Sequence, residues 1–197
     1  MSSALLIVDV QNDFCPGGAL PVPEGDRVIP VLNRYIELFR SQRAPIFASR
    51  DWHPSQTSHF KQKGGDWPPH CVAKTAGAQF HPELALPEET IVLSKGTDPG
   101  SDGYTAFQGH DSRGRTFEEV LRSRGINILY IGGLATDYCV KFTGLDALKK
   151  GFRVILLEDA TRGIDEDAVK ETIRLIQEKN GQLASFEEVS RKAGGRS

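Results

Sequence analysis

Strand-like apolar runs alternate with helix-like amphipathic segments along nearly the whole chain, and that alternation confines it to an α/β fold built on a parallel sheet. The first run, Leu5 to Val10, is apolar except for Asp9 and gives way to Gln11-Asn12-Asp13. A strand that is apolar on both faces must be covered on both faces, as the inner strands of a parallel sheet are. Val28 to Arg43 then sets Val28, Leu32, Tyr35, Ile36 and Phe39 at helical spacing, with Pro30 in the first turn, where its missing N–H is tolerated. Further strands are expected at Pro45 to Ser49, Thr90 to Leu93, Ile126 to Ile131 and Phe152 to Leu157, with a short one near Leu183.

Thr116-Phe117-Glu118-Glu119 is a capping-box pattern that opens a short helix closed by Gly125, and Ser185-Phe186-Glu187-Glu188 repeats the pattern near the end. Two more helices are expected from about Asp137 to Lys150 and from Asp167 to Asn180, with Gly181 as the C-cap of the second. The whole reads as one domain over residues 1–191, an open parallel sheet of about six strands with helices on both faces, followed by a flexible tail at 192–197.

With 197 residues the chain is long enough for a single hydrophobic core. Its net charge of -2, with Lys and Arg scattered, gives no electrostatic footprint for nucleic acid. No apolar run approaches the length of a membrane span, and the N-terminal run lacks the basic region and cleavage site of a signal peptide. Three cysteines, Cys15, Cys71 and Cys139, cannot all pair with one another. Free thiols and a cytoplasmic location are therefore expected, with one thiol a candidate reactive group.

Two stretches resist the alternation, Arg50 to Pro87 and Gly96 to Gly114, and they hold most of the Trp, His, Pro and Gly residues. Loops this long inside a compact domain are usually functional. Open parallel sheets bind ligands outside the carboxyl ends of their strands. Asp9, Asp51, Lys95 and Cys139 all fall at or just past predicted strand ends, so four chemically capable residues share one rim.

Thr136 is expected as the N-cap of the helix that follows Gly132-Gly133, which puts Cys139 in the first turn. Backbone N–H groups and the helix dipole there would favour a thiolate and could receive an oxyanion. The bland alternative is a small buried apolar side chain. Lys95 would lower the thiol pKa and Asp9 would carry its proton; a structural ion pair between neighbouring strands is the competing reading.

A second cluster is Asp51-Trp52-His53, followed by His59 and His70. In extended chain, residues two apart point the same way, so Asp51 and His53 can converge on one ion. Two or three imidazoles with one carboxylate suit a divalent zinc, iron or manganese ion. Four of the five histidines lie between His53 and His81; His81 and His110 are read as ordinary surface or loop residues.

The chain resembles the nicotinamidase/pyrazinamidase branch of the isochorismatase-like hydrolases in an ordered set of segments. These are Val8-Asp9-Val10-Gln11-Asn12-Asp13-Phe14, Asp51-Trp52-His53-Pro54, Trp67-Pro68-Pro69-His70-Cys71, Lys95-Gly96, Tyr104-Thr105-Ala106-Phe107 and Gly133-Leu134-Ala135-Thr136-Asp137-Tyr138-Cys139-Val140. The resemblance implies a catalytic triad of Asp9, Lys95 and Cys139, and a metal set of Asp51, His53 and His70. His59 stands where many members carry serine and some a metal-binding histidine. The resemblance further implies that Phe14 and Trp67 hold a pyridine ring, with Tyr104 and Ala135 also at the substrate. Backbone N–H groups of Ala135 and Cys139 would form the oxyanion hole, with a cis peptide at Leu134-Ala135.

The implied reaction is hydrolysis of nicotinamide, and of pyrazinamide, through a cysteine thioester, in salvage of the pyridine nucleotide NAD. The implied cofactor is one divalent ion, zinc first and iron or manganese as alternatives. The partner is a small-molecule substrate, without nucleic acid or membrane, and self-association into a homo-oligomer is an open expectation. Three other readings compete. One is a metal-free relative of the N-carbamoylsarcosine or ureidoacrylate amidohydrolase type, with the same triad. An isochorismatase, the second, would cleave a vinyl ether and has no need of Cys139. The third is a metal-binding or redox module without turnover. A nucleotide-binding fold is disfavoured because the first βα connection holds no Gly-x-Gly-x-x-Gly and no P-loop occurs.

Overall fold

The computed structural model describes residues 2–194. Six strands, β1 (Ser2–Val8), β2 (Ile46–Asp51), β3 (Ile91–Lys95), β4 (Ile126–Leu134), β5 (Arg153–Arg162) and β6 (Gln182–Ala184), form one sheet in the order β3-β2-β1-β4-β5-β6. Every pairing is parallel. This is the doubly wound order, and chain direction across the sheet reverses between β1 and β4.

Period-two alternation divides the sheet's side chains between two cores. Leu5 and Ile7 of β1 join a cluster with Val28, Leu32, Ile36 and Phe39 of α1 (Val28–Ser41) and Val189 of α5 (Phe186–Gly194). Ala4, Leu6 and Val8 point the other way, toward Phe117, Val120 and Leu121 of α2 (Phe117–Ser123), Ala147 of α3 (Lys141–Lys149) and Ile176 of α4 (Glu166–Glu178). Helices thus cover both faces, as the continuous apolar strands required.

The boundaries differ from the sequence expectations for local reasons. β1 ends at Val8 because Asp9 turns to φ 50°, and β2 and β3 run on to Asp51 and Lys95, which pair in register. β5 continues past Leu157 to Arg162 because Asp159 is satisfied inside the fold, accepting from Tyr35 Oη at 2.9 Å and from the Phe186 N–H at 2.8 Å. At the end of α4 it is Asn180, at φ 65°, that takes the left-handed position expected for Gly181, whose N–H then closes on Ile176 O at 2.8 Å. The Thr116 capping box forms in full. α5 extends through Lys192 to Gly194, three residues into the stretch read as a tail; the rest of that stretch, 195–197, lies outside the described residues. Among the described residues no helix is long and apolar enough to cross a membrane.

Candidate active site

The carboxyl ends of β1, β2 and β3 deliver Asp9, Asp51 and Lys95 to one buried point beside Cys139. Lys95 Nζ lies 2.8 Å from Asp9 Oδ2, 2.5 Å from Asp51 Oδ1 and 3.4 Å from Cys139 Sγ. Asp9 and Lys95 are fully buried, and Cys139 is 6% exposed. One ammonium therefore faces two carboxylates and a sulfur where water cannot screen them, and interactions of this kind are strong in proportion. Asp9 is held on its other oxygen by Ser49 Oγ at 2.7 Å. Asp51 is fixed through its backbone: its N–H donates to Gln11 Oε1 at 2.8 Å, and Gln11 Nε2 donates to its carbonyl at 2.9 Å.

Charge sharing sets the protonation states. Burial works to discharge Lys95, but Asp51 and Asp9 outweigh it and hold the ammonium well above its usual range. Burial raises Asp9 despite the lysine, whereas at Asp51 the pull of Lys95 and His53 overcomes burial and keeps the carboxyl ionised. Burial also pushes the Cys139 thiol well up; Lys95 opposes this, and the two carboxylates add to it. The resting sulfur is thus a protonated thiol, where sequence favoured a thiolate. Burial makes most of the difference, and two carboxylates against one ammonium add to it.

Cys139 lies in a π-helical turn, Thr136–Val140, that leads into α3. Thr136 does not cap it; its hydroxyl meets Thr161 Oγ1 at 2.7 Å, and Ala135 occupies the N-cap in extended conformation. The Ala135 carbonyl accepts the N–H groups of Tyr138 and Val140, on either side of Cys139. The Leu134-Ala135 peptide is cis, as the resemblance implied.

Next to this cluster the rings of His53, His59 and His70 converge, with ligand-capable nitrogens all within 4.8 Å of one another. Each Nδ1 is already engaged: His53 with Gly96 O at 3.1 Å, His59 with Asp102 Oδ1 at 2.7 Å and His70 with Pro68 O at 2.8 Å. Those contacts fix the ring orientations and leave each Nε2 to act as a ligand, the usual arrangement behind metal-bound histidines. His53 Nε2 is buried without a hydrogen-bond partner and lies 3.6 Å from Asp51 Oδ2. Burial pushes His70 down to about 4 and also lowers His59, so both rings are neutral at pH 7, as ligation requires. The donor set fits a divalent ion, and His59, left open by sequence, sits inside it. Gly96 is required here: a Cβ at that position would approach His53 Cε1 to 2.5 Å, and its φ is +64°.

A small cavity opens onto Cys139, His59 and His70, walled by Phe14, Leu20, Val22, Trp67, Ala135, Tyr138 and Ile164 among others. Trp67 Nε1 donates to Tyr104 Oη at 2.8 Å, and Trp67 packs edge-on against Tyr138 with centroids 5.0 Å apart. Every site residue named from sequence therefore reaches this one region. Sequence reading assigned no role to Ser49, Gln11, Asp102, Asp137 or Ile164. Gln11 stands inside the first motif and Asp137 inside the last; nothing local marks Ser49, Asp102 or Ile164, whose partners are 27 or more residues away.

A family model described as "Isochorismatase domain" matches residues 3–188. The chain is 43% identical over 178 residues to the nicotinamidase of Escherichia coli (strain K12), covering 82% of this chain and 84% of that one. Its fold is similar to the pyrazinamidase of Pyrococcus horikoshii, solved in complex with zinc, with TM-score 0.88, 44% identity and coverage of 94% and 100%. It is also similar to PnC1 from L. infantum, solved in complex with nicotinate, with TM-score 0.85, 35% identity and coverage of 94% and 93%.

Proposed function

The chain belongs to the isochorismatase family, and from that membership we propose that it hydrolyses nicotinamide to nicotinate and ammonia, with pyrazinamide as a second substrate. The observation that carries this reading is the convergence of Lys95, Asp9 and Cys139 beside three histidines, with Cys139, His59 and His70 opening onto one small, largely apolar cavity. Relatives of the metal-free amidohydrolase type would have no use for that histidine cluster.

Phe14 and Trp67 supply flat apolar surfaces for the pyridine ring, with Tyr104 steadying the indole. A divalent ion held by His53, His59, His70 and Asp51, with zinc first and iron or manganese as alternatives, would act as a Lewis acid toward the ring nitrogen and so orient the carboxamide. Cys139 gives its proton to Asp9 as its sulfur attacks the amide carbon. The developing oxyanion accepts hydrogen bonds from the backbone N–H groups of Ala135 and Cys139. The C–N bond then breaks, Asp9 returns the proton to the leaving nitrogen, and ammonia departs, leaving a nicotinoyl thioester on Cys139. Water cleaves the thioester, releasing nicotinate and restoring the thiol. Two lower barriers replace one high one. Lys95 stays protonated throughout and balances the charge that shifts between Asp9 and the sulfur.

The product acid would enter pyridine nucleotide salvage, and three free buried thiols suit a reducing cytoplasm. The test is ammonia release from nicotinamide with metal analysis of the same sample. Stoichiometric metal with no ammonia from any amide would instead favour a metal-binding module without turnover.

A further inference from the structure

We propose that Asp137 is a positioning residue that sets the size limit of the cavity by holding Ile164 at its mouth. The proposal rests on reading the cavity as the amide site, and its test separates the two.

Asp137 lies two residues before Cys139, in the same turn, and is only 5% exposed. Its carboxylate makes three hydrogen-bond contacts with two donors, both of them backbone amides. The Ile164 N–H reaches Oδ1 and Oδ2 at 3.1 Å each, and the Asp165 N–H reaches Oδ2 at 3.0 Å. The donating segment is the short link between the end of β5 at Arg162 and the start of α4 at Glu166.

That link cannot shift freely. Asp165 caps α4 by accepting the Ala168 N–H at 2.8 Å. Gly163 is pressed so closely that a Cβ there would stand 2.8 Å from Asp137 Oδ1 and 2.2 Å from Val169 Cγ2. Between these fixed points Ile164 projects a large apolar side chain that is 39% exposed and lines the same cavity as Phe14, Trp67 and Cys139. An exposed isoleucine would ordinarily move with its loop. Here a buried carboxylate on the nucleophile's own turn pins its backbone, so the distance from sulfur to outer wall is fixed. Substrates whose ring carries an extra group toward the mouth would collide with Ile164.

The experiment compares nicotinamide with nicotinamides methylated at each free ring carbon. Ile164→Ala should raise kcat/KM for at least one methylated ring, relative to nicotinamide, by about tenfold or more, since a methyl-sized group in an apolar pocket discriminates at about that level. Asp137→Ala should reproduce the change, chiefly through KM, although Asp137 lines no part of the cavity. In the double variant the two changes should not add, as expected of residues that act through one another. Asp137→Asn keeps one acceptor oxygen and should fall between; it carries the test if the alanine variant fails to fold.

A second readout needs no turnover: the rate at which iodoacetamide alkylates Cys139 relative to N-phenyliodoacetamide, followed by mass spectrometry. Both single variants should narrow that ratio. If the parent chain releases no ammonia from nicotinamide, the functional reading fails while the alkylation ratio still decides this proposal. Unchanged ratios in Ile164→Ala overturn Ile164 as the wall. A shift in Ile164→Ala without one in Asp137→Ala or Asp137→Asn overturns Asp137 as its support.

Discussion

The ammonium of Lys95 sits 3.4 Å from the sulfur of Cys139, although the two residues lie 44 positions apart and come from β3 and the turn after β4. The same ammonium bridges Asp9 and Asp51, so it links the nucleophile, its proton acceptor and the edge of the histidine cluster. It is the hub of the site's charge balance.

Replacing that hub should damage both folding and turnover. Lys95→Met keeps most of the volume but leaves Asp9 and Asp51 facing each other in a buried space. Breaking a buried pair in this way costs about 3–5 kcal/mol, and loss of the charge that steadies proton transfer should lower kcat by about 10²-fold or more. Urea denaturation and steady-state kinetics measure the two effects. A fully active, fully stable Lys95→Met would contradict the role given to Lys95.

Ser49→Ala tests the proton acceptor. Burial raises the pKa of Asp9, and the hydroxyl of Ser49 works against that rise by donating to the ionised form. Without the hydroxyl the pKa climbs further. Because attack needs Asp9 ionised in the free enzyme, the acid limb of the kcat/KM profile should move to higher pH. A limb that stayed put or moved down would assign it to another group.

What sequence made legible follows the range of the interactions involved. The sheet was readable because apolar runs such as Leu5 to Val10 report burial directly, and the rim was readable because Asp9, Asp51, Lys95 and Cys139 fall at strand ends. Thr136 was misjudged as a cap because its hydroxyl is taken by Thr161 on β5, a partner no local pattern reveals. The thiol's protonation differs from the sequence expectation because it depends first on how deeply Cys139 is buried and then on the charges brought together from three strands. Ile164 was invisible for a similar reason: its position depends on the distant carboxylate of Asp137.

The histidine cluster should behave as one metal site. His53→Ala and His59→Ala should each lower bound metal and weaken affinity by about tenfold or more, measured by competition with a chelator. His70 has a folded pKa of about 4 against an ordinary 6.5. Between those values the unfolded chain binds the extra proton, so its contribution to stability is complete above 6.5 and is lost as pH falls through about 4. Metal content should fall as pH drops toward about 4, where the folded His70 ring takes its proton and competes with the metal for the same nitrogen. Full metal content in His53→Ala would remove the site.

Trp67→Ala should raise KM for nicotinamide more than it lowers kcat. A ring contact of this kind contributes about 0.5–1.5 kcal/mol, or roughly two- to tenfold in binding. Tyr104→Phe, which removes only the acceptor for Trp67 Nε1, should show a smaller change in the same direction. An unchanged KM in Trp67→Ala would place the ring elsewhere in the cavity.

The covalent step is tested most directly by acid-quenching the chain within its first turnovers of nicotinamide and weighing it intact. The account predicts a fraction heavier by one nicotinoyl group less a hydrogen, located on Cys139 and absent from Cys139→Ala, which should fold, keep its metal and release no ammonia. Cys15 and Cys71 should stay unmodified, and their alanine variants should still turn over. Wild-type ammonia release by Cys139→Ala, with no acylated species in the parent chain, would contradict the thioester and leave metal-activated water as the nucleophile.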